Sequence, residues 1–253
     1  MLLHRQRRPA EPGPYWKQRT WRLSAGFLAV VLLAGGFTAL TSGHGTGDDR
    51  TGTAVPDGPL SGATALQNGR PPGCRTDDSA GGARPRSAPK DIRWQTLGVA
   101  RVPVSASAGP TRTTGPLLWC FAHTPIGAVL AATVIPSQMS GSGWRAVTRQ
   151  QVVAGQGRDM FSVQRGTVAD MDGPEQTGDT SVATYAGFSV TSYTGAAANV
   201  RLLLRTGQGY AATAVLVRWS GGDWKVVPDD DGSLHSRVTA VQGDTGGFVL
   251  WGV

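Results

Sequence analysis

The 253 residues include 36 Gly and 16 Pro, about a fifth of the chain, so part of it is too poor in packing side chains to form a core and a single core domain is the economical reading. The net charge of +7 is uneven: residues 1–41 carry six Lys or Arg against one acid, whereas residues 91–253 carry twelve against eleven. The later stretch therefore lacks the basic face of a nucleic-acid-binding domain, and no direct contact with DNA or RNA is expected of it.

Six basic residues, Arg5, Arg7, Arg8, Lys17, Arg19 and Arg22, precede the uncharged run LSAGFLAVVLLAGGFTALT, Leu23 to Thr41. Nineteen apolar and small residues approach the roughly 20 that cross a bilayer core, and the first charges beyond, Asp48 and Asp49, are acidic. The positive-inside bias predicts a basic cytoplasmic tail at 1–22, one transmembrane helix at 23–41 and everything later outside the cytoplasm, with the membrane as first partner. A cleaved signal peptide is the competing reading. The long leader and the lack of a small-x-small cleavage site or lipid-acceptor Cys weigh against it.

Residues 42–90 hold ten Gly and six Pro without apolar periodicity and read as a semi-flexible linker, leaving 91–253 as an extracytoplasmic α+β domain. The two cysteines straddle that boundary, Cys74 in PPGCRTDDS and Cys120 in LLWCFAH. In an oxidising compartment they would pair and pin the linker to the domain; the alternative is one exposed and one buried thiol. Cys120 with His123 also has the composition of a nucleophile and base. No orienting third group accompanies them.

Within the domain, Trp94 and LGVARVPVS read as an entering strand broken by Pro103, and SAGP as a turn. Leu117 to Met139 is uncharged, yet it is no second span. Thr124-Pro125 is a helix start, Pro136 predicts a stop near Ile135, and the short, almost wholly apolar helix between them belongs in a core. Trp144–Val153 reads as an amphipathic helix ended by Gly155, followed by a short turn at Asp159–Gln164.

The period then changes to two. Tyr185–Tyr193, Asn199–Thr206, Tyr210–Trp219 and Asp223–Val227 read as four strands of an antiparallel meander, with a loop Ser220–Asp223 setting Trp219 opposite Trp224. Helices first and a curved antiparallel sheet afterwards make an α+β fold with the helices on one sheet face.

This order, after one membrane helix and with the hairpin VRWSGGDWKVV, resembles the cone-shaped fold of nuclear transport factor two as used by the single-span scaffold of type IV secretion channels. The runs VPVSASAGP, CFAHTPIGAVLAA and GFVLWG further resemble membrane-anchored proteins of conjugative elements in high-GC Gram-positive bacteria. The resemblance implies a non-enzymatic assembly component of a conjugation or type IV secretion-like machine that contacts envelope or channel proteins or further copies of itself. It transfers no catalytic residue and implies no cofactor.

The alternative is a small-ligand-binding or enzymatic module whose curved sheet presents Tyr185, Tyr193, Arg201 and Tyr210 to a pocket. His4, His44, His123 and His235 lack metal-ligand spacing, and Asp229–Asp231 lack the rest of a calcium loop, so no metal is expected.

Overall fold

The computed structural model describes residues 58–61, 66, 69–98, 100–171 and 184–252. The predicted tail and span at 1–41 lie outside them. Among the described residues no helix is long and apolar enough to cross a membrane.

A compact unit runs from Ala54 to Val253. It opens with two small hairpins, β1 (Ile92–Leu97) with β2 (Ala100–Ser105) and β3 (Arg112–Thr114) with β4 (Leu117–Trp119). The single entering strand of the sequence reading is thus a two-stranded ribbon. Pro103 is tolerated opposite Trp94 because both strands of such a ribbon are edges.

Three helices follow: α1 (Pro125–Gln138), α2 (Trp144–Gln151) and α3 (Gln156–Met171). The Thr124 hydroxyl accepts the Gly127 N–H at 3.3 Å, with proline at the first helical position, as the sequence predicts. The predicted stop at Ile135 is corrected, since α1 continues to Gln138 with Pro136 inside it. Pro136 lies in the last turn, where many carbonyls lack helical partners in any case; Met139 N–H bonds the Pro136 carbonyl and the Ser137 hydroxyl bonds that of Thr133.

α1 packs against the strands between Thr184 and Val226 as well as β2, β4 and α2, which accounts for its lack of a polar face. Val129, Leu130, Val134 and Ile135 are fully buried, each contributing about 1.5–3 kcal/mol. Among the described residues β4 has β3 as its one strand neighbour, and two buried glutamines bond the backbone of Leu118. Gln138 Oε1 accepts its N–H, Gln151 Nε2 donates to its carbonyl, and Gln138 Nε2 donates to Gln151 Oε1. The predicted turn at 159–164 is instead the middle of the 16-residue α3, whose exposed Met160 and Val163 hide the amphipathic pattern.

The meander is as read: β5 (Thr184–Thr194), β6 (Ala197–Thr206), β7 (Gly209–Ser220) and β8 (Asp223–Val226) pair in sequence, all antiparallel. β9 (Thr239–Val241) resumes the pairing along β7, and β10 (Val249–Leu250) closes the edge of β5. Trp219 faces Trp224 in register. Ser220 and Asp223 are also paired, so the expected four-residue loop shrinks to Gly221-Gly222, both at positive φ in a two-residue turn.

The linker reading of 42–90 is altered from residue 58 onward. Leu60 is 4% exposed, and its backbone N–H and carbonyl bond Gln150 and Lys225. Residues 69–71 press on the β7–β8 turn so closely that a Cβ at Gly222 would lie 2.5 Å from the Gly69 carbonyl. Gly222→Ala should therefore cost about 2–3 kcal/mol, combining positive-φ strain with a backbone clash, in a urea melt. A cost below about 0.5 kcal/mol would mean that the 69–71 segment lifts freely.

Candidate functional site

The sequence-predicted residues fall into two regions. At the β7–β8 end, Cys74 and Cys120 form a disulfide with an S–S distance of 2.10 Å. Cys120 is thereby removed as a thiol nucleophile. Trp219 and Trp224 meet edge to face at 5.3 Å, His123 stacks on Trp219 at 3.9 Å, and the Arg70 guanidinium covers Trp219 at 5.1 Å. Arg70 also pairs with Asp78 and donates to the Phe121 carbonyl.

Tyr193 belongs to this region. Its hydroxyl donates to the His123 carbonyl at 3.1 Å, and partial burial together with the Asp78 charge pushes its pKa up.

Beneath the stack lies Asp223, fully buried. Its carboxylate accepts the N–H groups of Cys120 at 2.7 Å, Phe121 at 2.9 Å and Trp224 at 3.0 Å. Burial pushes its pKa up to about 6; the three N–H bonds and the Arg70 charge oppose that shift without cancelling it. The aspartate clamps the backbone at Cys120, which adopts φ +72°, a left-handed conformation that costs a non-glycine residue about 1–2 kcal/mol. These contacts brace the fold around Cys120.

The second region is a cleft of about 210 Å³ between the β1–β2 ribbon and the opposite end of the meander. The ribbon supplies Trp94 and Arg101, and the meander supplies Thr184 and Tyr185 of β5, Arg205 of β6 and Tyr210 of β7. Leu250 and Trp251 complete the wall from the β10 side. Thr184, Arg205 and Tyr210 form one cross-strand row. A bulge between Tyr185 and Gly187 turns the strand here, and the Ala186 carbonyl it frees accepts the Trp251 N–H.

Both arginines lie on aromatic walls, Arg101 over Trp94 at 5.8 Å and Arg205 over Tyr210 at 5.7 Å, and Arg205 donates to the Tyr210 hydroxyl at 3.1 Å. The Tyr185 and Ser137 hydroxyls share a hydrogen bond of 3.0 Å, and burial pushes the Tyr185 pKa up, keeping the phenol neutral. Trp251 is 2% exposed, and its Nε1–H has no acceptor among the described residues.

Of the four residues expected to share a pocket, Tyr185 and Tyr210 do so, whereas Tyr193 and Arg201 do not. Arg201 instead covers the Phe248 ring at 4.9 Å. Trp94, Arg101, Leu250 and Trp251 were missed because no local pattern relates the first ribbon to the closing strand. Among the described residues there is no group of three or more His, Cys, Asp or Glu able to hold a metal ion. Asp231 is a turn residue whose side chain accepts the Ser233 N–H.

Fold and cleft define a disulfide-braced α+β domain with an aromatic, arginine-flanked recess at one end of its sheet. The chain belongs to the family described as a domain of unknown function (DUF8175), whose model matches residues 54–250. That stretch starts where the compact unit starts. No curated protein and no solved structure matches the chain.

Proposed function

We propose that the chain is a bitopic, non-catalytic component of a cell-envelope machine of the conjugation or type IV secretion kind. Leu23–Thr41 anchors it with the N-terminus in the cytoplasm, and its cone-like outer domain acts through contacts with channel proteins or further copies. The Cys74–Cys120 bond carries the location, because such bonds persist in oxidising compartments, and it agrees with the orientation drawn from the basic tail. Met160 and Val163, three residues apart on α3, are exposed and offer apolar contact surface.

The test is crosslinking of the full chain in membranes of its native host, followed by mass spectrometry and blue-native electrophoresis. Recovery of a coupling ATPase or other channel subunits is the expected result, and it should fall several-fold for Met160→Asp/Val163→Asp at unchanged protein level. Recovery of uncomplexed monomer alone would overturn this reading.

The aromatic cleft favours a second reading, a small-ligand-binding module on the same anchor. Its walls are predominantly apolar with a few polar groups, the usual composition of a ligand site.

A further inference from the structure

The cleft's chemistry selects among ligands. Two guanidiniums flank it, and its lining contains no carboxylate. Among the described residues the ion pairs are Arg70–Asp78 and Arg158–Asp159, so neither Arg101 nor Arg205 is neutralised by one. Each lies over an aromatic ring, and guanidinium N–H groups not used in the Arg205–Tyr210 bond can donate to a ligand. The same lining includes Trp251, whose buried indole Nε1–H has no acceptor among the described residues. A polar donor left unpaired inside a fold costs free energy that an incoming acceptor would recover.

Apart from Thr184, the rest of the surface is apolar or aromatic: the rings of Trp94, Tyr185, Tyr210 and Trp251, and the side chains of Ala186 and Leu250. The volume of about 210 Å³ is below the ~300 Å³ at which pockets for drug-sized ligands begin, which limits the occupant to roughly ten non-hydrogen atoms.

Resting on the second reading above, we propose that this cleft binds a small amphipathic anion: a carboxylate on a short acyl chain or on a single aromatic ring. The apolar part lies among the aromatic walls and Leu250, and the anionic head takes charge-assisted hydrogen bonds from Arg101 and Arg205. A neutral chain of the same length loses those bonds, and a cationic one meets two like charges.

The test uses the full chain in lipid nanodiscs, with empty nanodiscs as blank, titrated separately with octanoate, octan-1-ol and octyltrimethylammonium. Binding is read by tryptophan fluorescence and by the Trp251 indole N–H resonance, assigned from its loss in Trp251→Phe. Octanoate should saturate the protein, bind at least about tenfold tighter than either control and move the Trp251 resonance. Arg101→Gln/Arg205→Gln should weaken octanoate by about tenfold or more without changing the melting temperature of the free protein.

Equal binding of all three probes would overturn the anion preference while leaving a ligand cleft in place. Selective octanoate binding that survives the double substitution would place the anion elsewhere and overturn the assignment. If none of the three binds, the anion proposal and the ligand-binding reading both fall.

Discussion

Asp223→Asn should lower stability by about 2–4 kcal/mol at pH 7, measured by urea unfolding. One carboxylate oxygen accepts the Cys120 N–H and the other accepts those of Phe121 and Trp224. An amide supplies a single oxygen, so its NH2 group must face at least one backbone donor. A buried donor without an acceptor costs about 1–3 kcal/mol, and the facing N–H groups repel. Ordinary surface substitutions stay within about 0.5 kcal/mol, so a loss that small would remove Asp223 from its bracing role.

The same residue gives a pH dependence of defined sign. Its folded pKa of about 6 is above the unfolded value of 3.8, so between these values the folded state binds more protons. The Asp223 contribution to stability is therefore fully present below about pH 3.8 and is lost as pH rises through about 6. Subtracting the unfolding free energy of Asp223→Asn from that of the wild type isolates the effect. The difference should fall between pH 4 and 6 and level off above 7; a difference that rises with pH would reverse the assignment.

The second large effect is removal of the disulfide. Cys74→Ser/Cys120→Ser should cost about 4 kcal/mol, the chain-entropy value for a sequence separation of 46. The consequence extends to Arg70, because residues 70–78 lose their covalent hold and the guanidinium over Trp219 is fixed only by its hydrogen bonds. Combined with Asp223→Asn, the losses should be less than additive by about 1 kcal/mol or more, since both hold Cys120 in its left-handed conformation. Strict additivity in a double-mutant cycle would show that the two braces act independently.

The elements most legible in the sequence were those that repeat. The four meander strands are together rich in aromatic and β-branched residues between Gly-containing turns, and α1 combines a Thr-Pro start with a largely apolar run. Residues 58–90 gave no such signal because individual contacts hold them: Leu60 in the core, Arg70 on a ring, Cys74 in a covalent bond. Glycine and proline density agrees with the lack of helix or strand among the described residues of that stretch, but it did not reveal their packing.

The cleft was half legible for a related reason. Tyr185 and Tyr193 share a side under strict alternation, but eight residues of strand span roughly 26 Å. Two register shifts in β5 also disturb the alternation between them. Tyr193 therefore lies beside Trp224 while Tyr185 lines the recess. Arg201 is four residues from Arg205, and Phe248 occupies its surface. Recognising Trp94 and Trp251 as neighbours requires the tertiary structure.

The disulfide also determines how the domain would carry tension. A pull arriving along the backbone at Cys74 crosses directly to Cys120 and continues through the Asp223 hydrogen bonds into β8. The bypassed segment contains the β1–β2 ribbon, with Trp94 and Arg101, so one wall of the cleft lies off the load path. Stretched in a force spectrometer, the oxidised domain should extend about 160 Å less than the reduced one, the length of the 46 residues held in reserve. Under load entering at Cys74, the ribbon wall of the recess is spared while the wall built from the strands beyond Cys120 bears the strain.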